Sequence, residues 1–338
     1  MEIAKTRRKF VTIKSVYKDY KSKPFYYFIF VITIQNISKF DNIHPTAVTI
    51  GTFDGVHIGH RKLLERLIND AKLFNLKATV LTFFPHPRMV LQQDANIKLL
   101  NTLDEKVKIL EQIGLEYLMI YPFSREFSRL SATEFVEKIL VNSLHCKKVI
   151  IGYDHRFGRN RNADIKDLVS FGKTFGFEVD EIPAQEIDEV SVSSTKIRKA
   201  LEVGDIKTAN LYLGYAYMLT GIVQKGKGLG RQLNFPTANI HIEEDYKLIP
   251  HNGVYVVKSV LENTTIYGMM NIGFNPTVSG TERSIEVHFF DFDKDLYGQK
   301  LQIDILDRIR DEHKFSSVEQ LKKQLEKDKK ISLSLITK

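Results

Sequence analysis

The chain has 338 residues, of which 43% are hydrophobic and 27% charged; this balance excludes a disordered or fibrous protein, and the length calls for two domains. One cysteine, Cys146, excludes an internal disulfide and points to a reducing compartment, the cytoplasm. A formal net charge of +8 suits anionic small molecules such as nucleotides, and equally plain solubility, but no Lys/Arg stripe interleaved with aromatics marks a nucleic-acid surface.

At the amino terminus, basic residues (Arg7, Arg8, Lys9, Lys21, Lys23) precede an apolar run from Phe25 to Ile34. A spanning helix needs about 20 apolar residues, and the run falls well short of that; no small-residue cleavage site follows it. It reads as a first strand, or as a stretch lying upstream of the true start. Residues 1–32 are therefore set apart as an extension, and no membrane partner is expected. From Thr46 to Val192, short apolar runs alternate with amphipathic patterns. Ala47–Ile50, Ala78–Phe84, Tyr117–Tyr121, Lys148–Gly152 and Phe177–Ile182 read as strands. Helical spacing lies between them, through Leu63, Leu64, Leu67, Ile68 and Ala71, then Val107, Leu110 and Ile113, then a helix opened by Ser131-Ala-Thr-Glu134 with capping-box spacing. Strict alternation predicts a parallel sheet with helices on both faces. Past Gly204 the rhythm changes. Tyr217–Val223, Gly253–Val260, Ile266–Met270, Ile285–Phe290 and Leu301–Leu306 follow one another with turn residues between them, which predicts an antiparallel sheet or closed barrel. A last helix is expected near Ser316-Ser-Val-Glu319, and the domain boundary near 199–205.

The segment Gly51-Thr-Phe-Asp-Gly-Val-His-Ile-Gly-His60 leaves the first clear strand and enters a helix, the place where open α/β sheets bind ligands. Gly51, Gly55 and Gly59 let backbone approach phosphate oxygens, and the helix offers free N–H groups. His57 and His60 can face one ligand and donate hydrogen bonds to a triphosphate as charge builds during displacement. The paired histidines also admit a metal reading, but the carboxylate of the zinc-protease pattern is missing between them. Three further clusters fit the same pocket: Phe84-Pro-His-Pro87 at a strand end, Gly152 to Arg161 with its three arginines, and Ser193-Ser-Thr-Lys-Ile-Arg198 opening a helix. Each has a plainer alternative, respectively a stiff turn, a surface loop and an N-cap.

In the second half, Gly226-Lys-Gly-Leu-Gly-Arg231 is a glycine loop beside Asn234-Phe-Pro-Thr-Ala-Asn239. From Gly221 its spacing nearly matches a Walker loop, but Gly228 stands where a Ser or Thr should bind magnesium. Thr237 and Asn239, two apart, could share one Mg²⁺–nucleotide from a strand. Glu286 and His288 alternate likewise, so Glu286 could serve as a general base, or be an ordinary solvent-facing Glu.

His57-Ile-Gly-His60 with Ser193–Arg198 resembles the HxGH nucleotidylyltransferase superfamily. With Phe84–Pro87, Asp154-His-Arg-Phe-Gly-Arg159, the glycine loop, Pro236–Asn239, Asn271–Thr277, Glu286–His288 and Arg310–Phe315, residues 33 to about 330 resemble the bacterial bifunctional riboflavin kinase/FAD synthetase family. The resemblance implies a Rossmann-like nucleotidylyltransferase domain (33–200) with a parallel sheet and a riboflavin-kinase-like antiparallel β-barrel (201–331) with a terminal helix. It implies ATP contacts at Gly51, Phe53, Asp54, Gly55, His57, Gly59, His60, Ser193, Ser194, Thr195 and Arg198, and acceptor contacts at His86, Asp154, Arg156 and Arg161. In the barrel it implies ATP at Gly226, Lys227, Gly228, Gly230, Arg231, Thr237 and Asn239, the last two also holding Mg²⁺, and flavin at Arg310, Glu312 and Phe315. Glu286, His57 and His60 would be the catalytic groups. Riboflavin would become FMN, and FMN would become FAD, each at the expense of ATP. The chain departs from the family in three places: Asn234 and Ala163 stand where Gly is usual, and residues 1 to about 32 have no counterpart. A tRNA-charging enzyme and a flavin-binding protein with one dead domain are the rival readings from other classes.

Overall fold

The computed structural model describes residues 31–35, 44–91, 97–183, 192–226, 229–277 and 280–337. Most of the amino-terminal extension, and Lys227 and Gly228 of the glycine loop, lie outside the described residues.

The first half is a six-stranded parallel sheet in the order β1-β4-β3-β2-β5-β6. Its strands are β1 (Ile32–Ile34), β2 (Thr46–Ile50), β3 (Lys77–Phe84), β4 (Tyr117–Pro122), β5 (Cys146–Gly152) and β6 (Glu178–Ile182). Successive residues of a strand point to opposite faces, and the packing follows that period. Ala47, Val80, Leu118 and Ile150 face one core with helices α1 (Ile58–Leu73) and α3 (Leu103–Ile113); α2 (Pro87–Leu91) is a short turn between them. Val48, Leu81, Met119 and Val149 face the other core, under α4 (Ala132–Phe135), its continuation Val136–Val141, and α5 (Ile165–Phe175). Both faces are covered, so the central strands are buried on both sides, β2 at every position. The expected capping box at Ser131 and Glu134 forms, and the same device opens α3 at Thr102–Glu105 and α5 at Asp164–Asp167. The apolar run of the extension ends in β1, an edge strand pairing Ile32–Ile34 with Tyr117–Met119.

Two helices follow, α6 (Ser194–Glu202) and α7 (Ile206–Leu213), the second unforeseen in the sequence. The barrel is closed and antiparallel in the order β10-β11-β8-β7-β12-β9. It comprises β7 (Tyr217–Gln224), β8 (Ala238–His241), β9 (Gly253–Leu261), β10 (Thr264–Thr277), β11 (Gly280–Phe289) and β12 (Lys300–Arg310), with the short helix α8 (Leu229–Gln232) before β8. Tyr217, Leu219, Val257, Met270, Val287 and Ile303 fill its interior, and Ile197, Leu201 and Leu213 of α6 and α7 join the same cluster. The terminal helix α9 (Val318–Ile336) is capped by Ser317, one residue later than the expected Ser316, because the Ser317 hydroxyl accepts from Gln320 N. Among the described residues no helix is long and apolar enough to cross a membrane.

The halves meet along Lys98–Leu100 and Tyr246–Leu248. Leu99 N donates to Tyr246 O at 2.6 Å and Leu248 N to Leu99 O at 2.8 Å. Beside this bridge, the fully buried Lys247 ammonium donates to Glu105 Oε2 and to Leu100 O, both at 2.6 Å.

Candidate functional site

β2 is the central strand from which the chain proceeds to β3 on one side, and β5 joins it on the other. The crevice above its carboxyl end is therefore the topological switch point, and Gly51–His57 lies there. The loop is held tightly. Phe53 and Val56 adopt left-handed φ angles of 46° and 34°, which bulky or β-branched residues adopt only where surroundings enforce them. At Gly55 (φ 87°) a Cβ would stand 2.6 Å from Leu100 Cδ1. Asp54 is buried and accepts from Leu100 N at 2.9 Å and from Arg198 Nη2 at 2.5 Å. Ser194 Oγ donates to Asp54 O at 2.9 Å, while Ser193 caps α6 by accepting from Lys196 N. Asp54, Ser194 and Arg198 are thus brought together, and their contacts run to one another and to Lys98 and Leu100: they shape the cradle. Thr195 follows them in the first turn of α6.

His57 caps α1, its Nδ1 accepting from His60 N at 3.4 Å. That contact leaves the ring proton on Nε2 of a neutral imidazole. The two rings stack with centroids 3.6 Å apart, and Gly59, between them in sequence, is buried in the first turn of α1. Burial lowers His57 to about 4 against a weaker pull from Asp54. His60 is lowered as well, first by burial and then by His57 and Lys106, and its Nδ1 has no hydrogen-bond partner. His86, after β3, is also pulled to about 4 by burial, and its Nδ1 accepts from Arg88 N at 3.2 Å. The loop after β5 leaves Asp154, Arg156 and Arg161 exposed.

Three residues that no motif flagged complete this site. Lys106, buried on α3, donates to Thr52 O at 2.7 Å, and burial lowers its ammonium to about 8. Tyr215 OH donates to Gly55 O at 2.7 Å, and Arg61 lies over the Tyr215 ring at 5.4 Å. Asn101 Nδ2 donates to Tyr215 OH at 3.3 Å. Each comes from a distant segment, so no local pattern announces it.

The second constellation stands on the barrel's outer wall. Ile285, Val287 and Phe289 point into the barrel, so Glu286 and His288 point outward. Thr237 Oγ1 donates to Glu286 Oε2 at 3.2 Å, and Asn239 is the cross-strand partner of Glu286. His288 Nδ1 lies 2.8 Å from Pro236 O, and its ring meets Phe235 and Phe290 edge-on. A Cβ on Gly226 would overlap the Asn239 side chain, and one on Gly230 would overlap Phe235 O, so both glycines serve close approach. Arg231 is exposed on α8. Asn234 has a φ of 62° in the turn that follows. Asn is among the non-glycine residues that best tolerate this conformation, so Asn234 holds a backbone shape that glycine also adopts. Ala163 forms a regular backbone bridge with Phe157.

Arg310 binds Asp328 of α9 through Nε and Nη2, at 3.0 and 2.7 Å, and lies 5.8 Å from the Phe315 ring centroid. That pair fastens β12 to the terminal helix. Glu312 accepts from Asn252 Nδ2 at 3.2 Å and Phe274 N at 3.3 Å. Among the described residues no group of three His, Cys, Asp or Glu could hold a metal. The oxygens of Thr237 and Asn239 beside the Glu286 carboxylate are hard donors of the kind magnesium prefers.

Comparison with known proteins agrees with this division. The FAD synthetase family model matches residues 39–196, and the riboflavin kinase model matches residues 213–336. The bifunctional riboflavin kinase/FMN adenylyltransferase of Buchnera aphidicola subsp. Acyrthosiphon pisum is 37% identical over 87% of this chain and 94% of its own length. That of Haemophilus influenzae is 39% identical over 83% and 91%. A crystal structure described as a macrolide-efflux protein from Streptococcus pneumoniae superposes with a TM-score of 0.81 at 32% identity, covering 90% of this chain and 99% of that one.

Proposed function

The chain belongs to the bifunctional riboflavin kinase/FMN adenylyltransferase family and makes FMN from riboflavin and FAD from FMN, and from this premise we propose which residues carry each step, with ATP and magnesium as the co-substrate and its ion. In the barrel, Glu286 accepts the proton of riboflavin's terminal hydroxyl as that oxygen attacks the γ-phosphate of ATP. Thr237 orients the Glu286 carboxylate. Thr237 and Asn239 would hold the magnesium that comes with ATP, which supplies charge neutralisation at the phosphates. Above the sheet, the phosphate of FMN attacks the α-phosphate of a second ATP, and pyrophosphate leaves. The nucleophile is already an anion, so no protein base is required. The neutral His57 and His60 rings and the α1 amino terminus donate hydrogen bonds to the developing charge. Contacts of His86, Asp154, Arg156 and Arg161 with the acceptor, and of Arg310, Glu312 and Phe315 with flavin, belong to the same reading. The cytoplasm is its expected setting.

One observation supports these roles above the rest: the chain carries two separately equipped sites, a stacked histidine pair at a helix start and a Thr237–Glu286 contact on the barrel wall. The test is a time course with riboflavin, ATP and Mg²⁺ that separates FMN from FAD. His57→Ala with His60→Ala should lower FAD formation by about 100-fold or more while sparing FMN. Glu286→Ala should stop FMN formation and leave FAD formation from supplied FMN intact. Loss of both steps in either variant, with folding preserved, would contradict the assignment.

A further inference from the structure

The Gly51–His60 loop is braced by a segment that the other half of the chain supplies. Leu213, Gly214 and Tyr215 lead from α7 into β7, within residues 213–336 matched by the riboflavin kinase model and outside the FAD synthetase match of residues 39–196. Each of them meets the loop. A Cβ on Gly55 would stand 2.6 Å from Leu100 Cδ1 and 3.4 Å from Leu213 Cδ2, so the buried Gly55 backbone packs against both leucines. A Cβ on Gly214 (φ 74°) would stand 2.8 Å from Ile58 Cγ2, so this turn rests on the first residue of α1. Tyr215 OH donates to Gly55 O at 2.7 Å.

These contacts bracket a histidine. Gly55 and Ile58 flank Val56 and His57, and Val56 holds a left-handed φ of 34°. A β-branched residue keeps that conformation only where its surroundings over-determine it. With both flanks held, the path through Val56 is set, and with it the place from which His57 caps α1 and stacks on His60. Tyr215 is suited to its part. Its hydroxyl has one proton, which the short contact to Gly55 O takes, while Asn101 Nδ2 donates to its oxygen at 3.3 Å. Burial pushes the hydroxyl above its ordinary pKa, so it remains a donor. The ring packs at once against the barrel's core and against the core that α1 covers, and the Arg61 guanidinium lies over it. A buried carbonyl that loses its donor is costly, so without the hydroxyl the Gly55 peptide would shift toward another partner and carry Val56 and His57 with it.

We propose, on the adenylyl-transfer reading above, that Tyr215 is a positioning residue for that step: by holding the Gly55 peptide it aims the His57 imidazole at the ATP phosphates, and a residue of the kinase half thereby completes the site above the sheet.

The test uses the full chain and initial rates of FAD formation from supplied FMN and Mg-ATP, with riboflavin phosphorylation measured in the same preparations. Tyr215→Phe keeps the ring and removes only the hydroxyl. It should lower kcat for FAD formation by about tenfold and leave KM for ATP within about twofold, because a misaimed histidine is missed chiefly in the transition state. Riboflavin phosphorylation should not move. In a His57→Ala chain the same substitution should cost less than about twofold, since the group it positions is gone. A Tyr215→Phe chain whose kcat for FAD formation stays within about twofold of wild type would overturn the role. So would a loss of about tenfold in both the wild-type and the His57→Ala backgrounds, because Tyr215 would then act by another route. Equal loss of both activities, with a melt that is no longer cooperative, would also overturn it, the hydroxyl then serving folding alone. If His57→Ala itself leaves FAD formation intact, it is the adenylyl-transfer reading that fails.

Discussion

Burial lowers the His57 imidazole from its ordinary 6.5 to about 4, so the native ring is neutral at pH 7. Above pH 6.5 the ring is neutral in both native and unfolded chains and adds no pH dependence. As pH falls from 6.5 toward 4, the unfolded chain takes up a proton that the native ring refuses, and stability is lost through that window. The loss from this one ring reaches about 3 kcal/mol at most. Urea unfolding of wild type and His57→Gln between about pH 7 and about pH 4 checks it: the variant should lose less stability on acidification, and equal losses would show that the ring is not the cause. Asn234 supplies a second prediction at this scale. With φ at 62°, Asn234→Val should cost about 1–2 kcal/mol, whereas Asn234→Gly should change stability by less than about 1 kcal/mol. Melting of the two variants is the measurement, and a valine variant as stable as wild type would mean that the turn re-forms another way. The histidine pair and Asn234 were legible because their signals are local: spacing in a glycine loop, and one residue against a motif. Lys106 was not, since a lysine in an amphipathic helix shows nothing of the carbonyl it meets, that of Thr52.

Among the elements, α9 shows how a helix can serve a site it does not enter. Leu321, Leu325 and Ile336 pack against a patch of Phe235, Met269 and Phe290 on the barrel's outside, and Phe235 lies two residues before Thr237. Arg310 and the fully buried Asp328 fasten the helix to β12. Removing one partner of a buried pair strands the other charge, so Arg310→Met or Asp328→Leu alone should cost about 3–5 kcal/mol, and the double variant should recover most of it. Kinase activity should fall with the single variants, while FAD formation from FMN should persist. A stability cycle alongside both rate assays checks this, and equal damage to both activities would refute the local role of α9. The strands were readable from apolar runs, and the first capping box from its spacing. The terminal helix was placed one residue early because Ser316 and Ser317 are both competent caps, and only the backbone decides which accepts from Gln320. The eight-residue α7 was missed because so short an amphipathic stretch looks like a turn between strands.

Across the whole molecule, Lys247 and Glu105 lie 142 positions apart in sequence and 2.6 Å apart in space. No spacing rule reaches so far, and the same holds for Asp54 and Arg198, both prominent in their own motifs yet silent about each other. This is where the legibility of the sequence ends: each half was readable, the seam between them was not. The seam also bears on the adenylyl-transfer loop, because Leu100 accepts from Lys247 through its carbonyl and donates to Asp54 through its N–H. Lys247→Met, made entirely within the barrel sequence, should therefore cost about 3–5 kcal/mol and raise KM for ATP in FAD formation more than in FMN formation. Rates and urea melts of Lys247→Met, Glu105→Leu and the double variant test it, and a larger effect on the kinase step would reverse the inference.

The outward placement of Thr237, Asn239 and Glu286 has a consequence for how such a protein can change over generations. Residues that fill the barrel's interior and residues proposed to do its chemistry alternate along the same strands, yet face away from one another. A lineage can exchange Val287 or Ile285 for other apolar side chains of similar volume while Glu286, between them, keeps its aim. Drift inside the barrel and constancy on its wall are thus compatible within three consecutive residues.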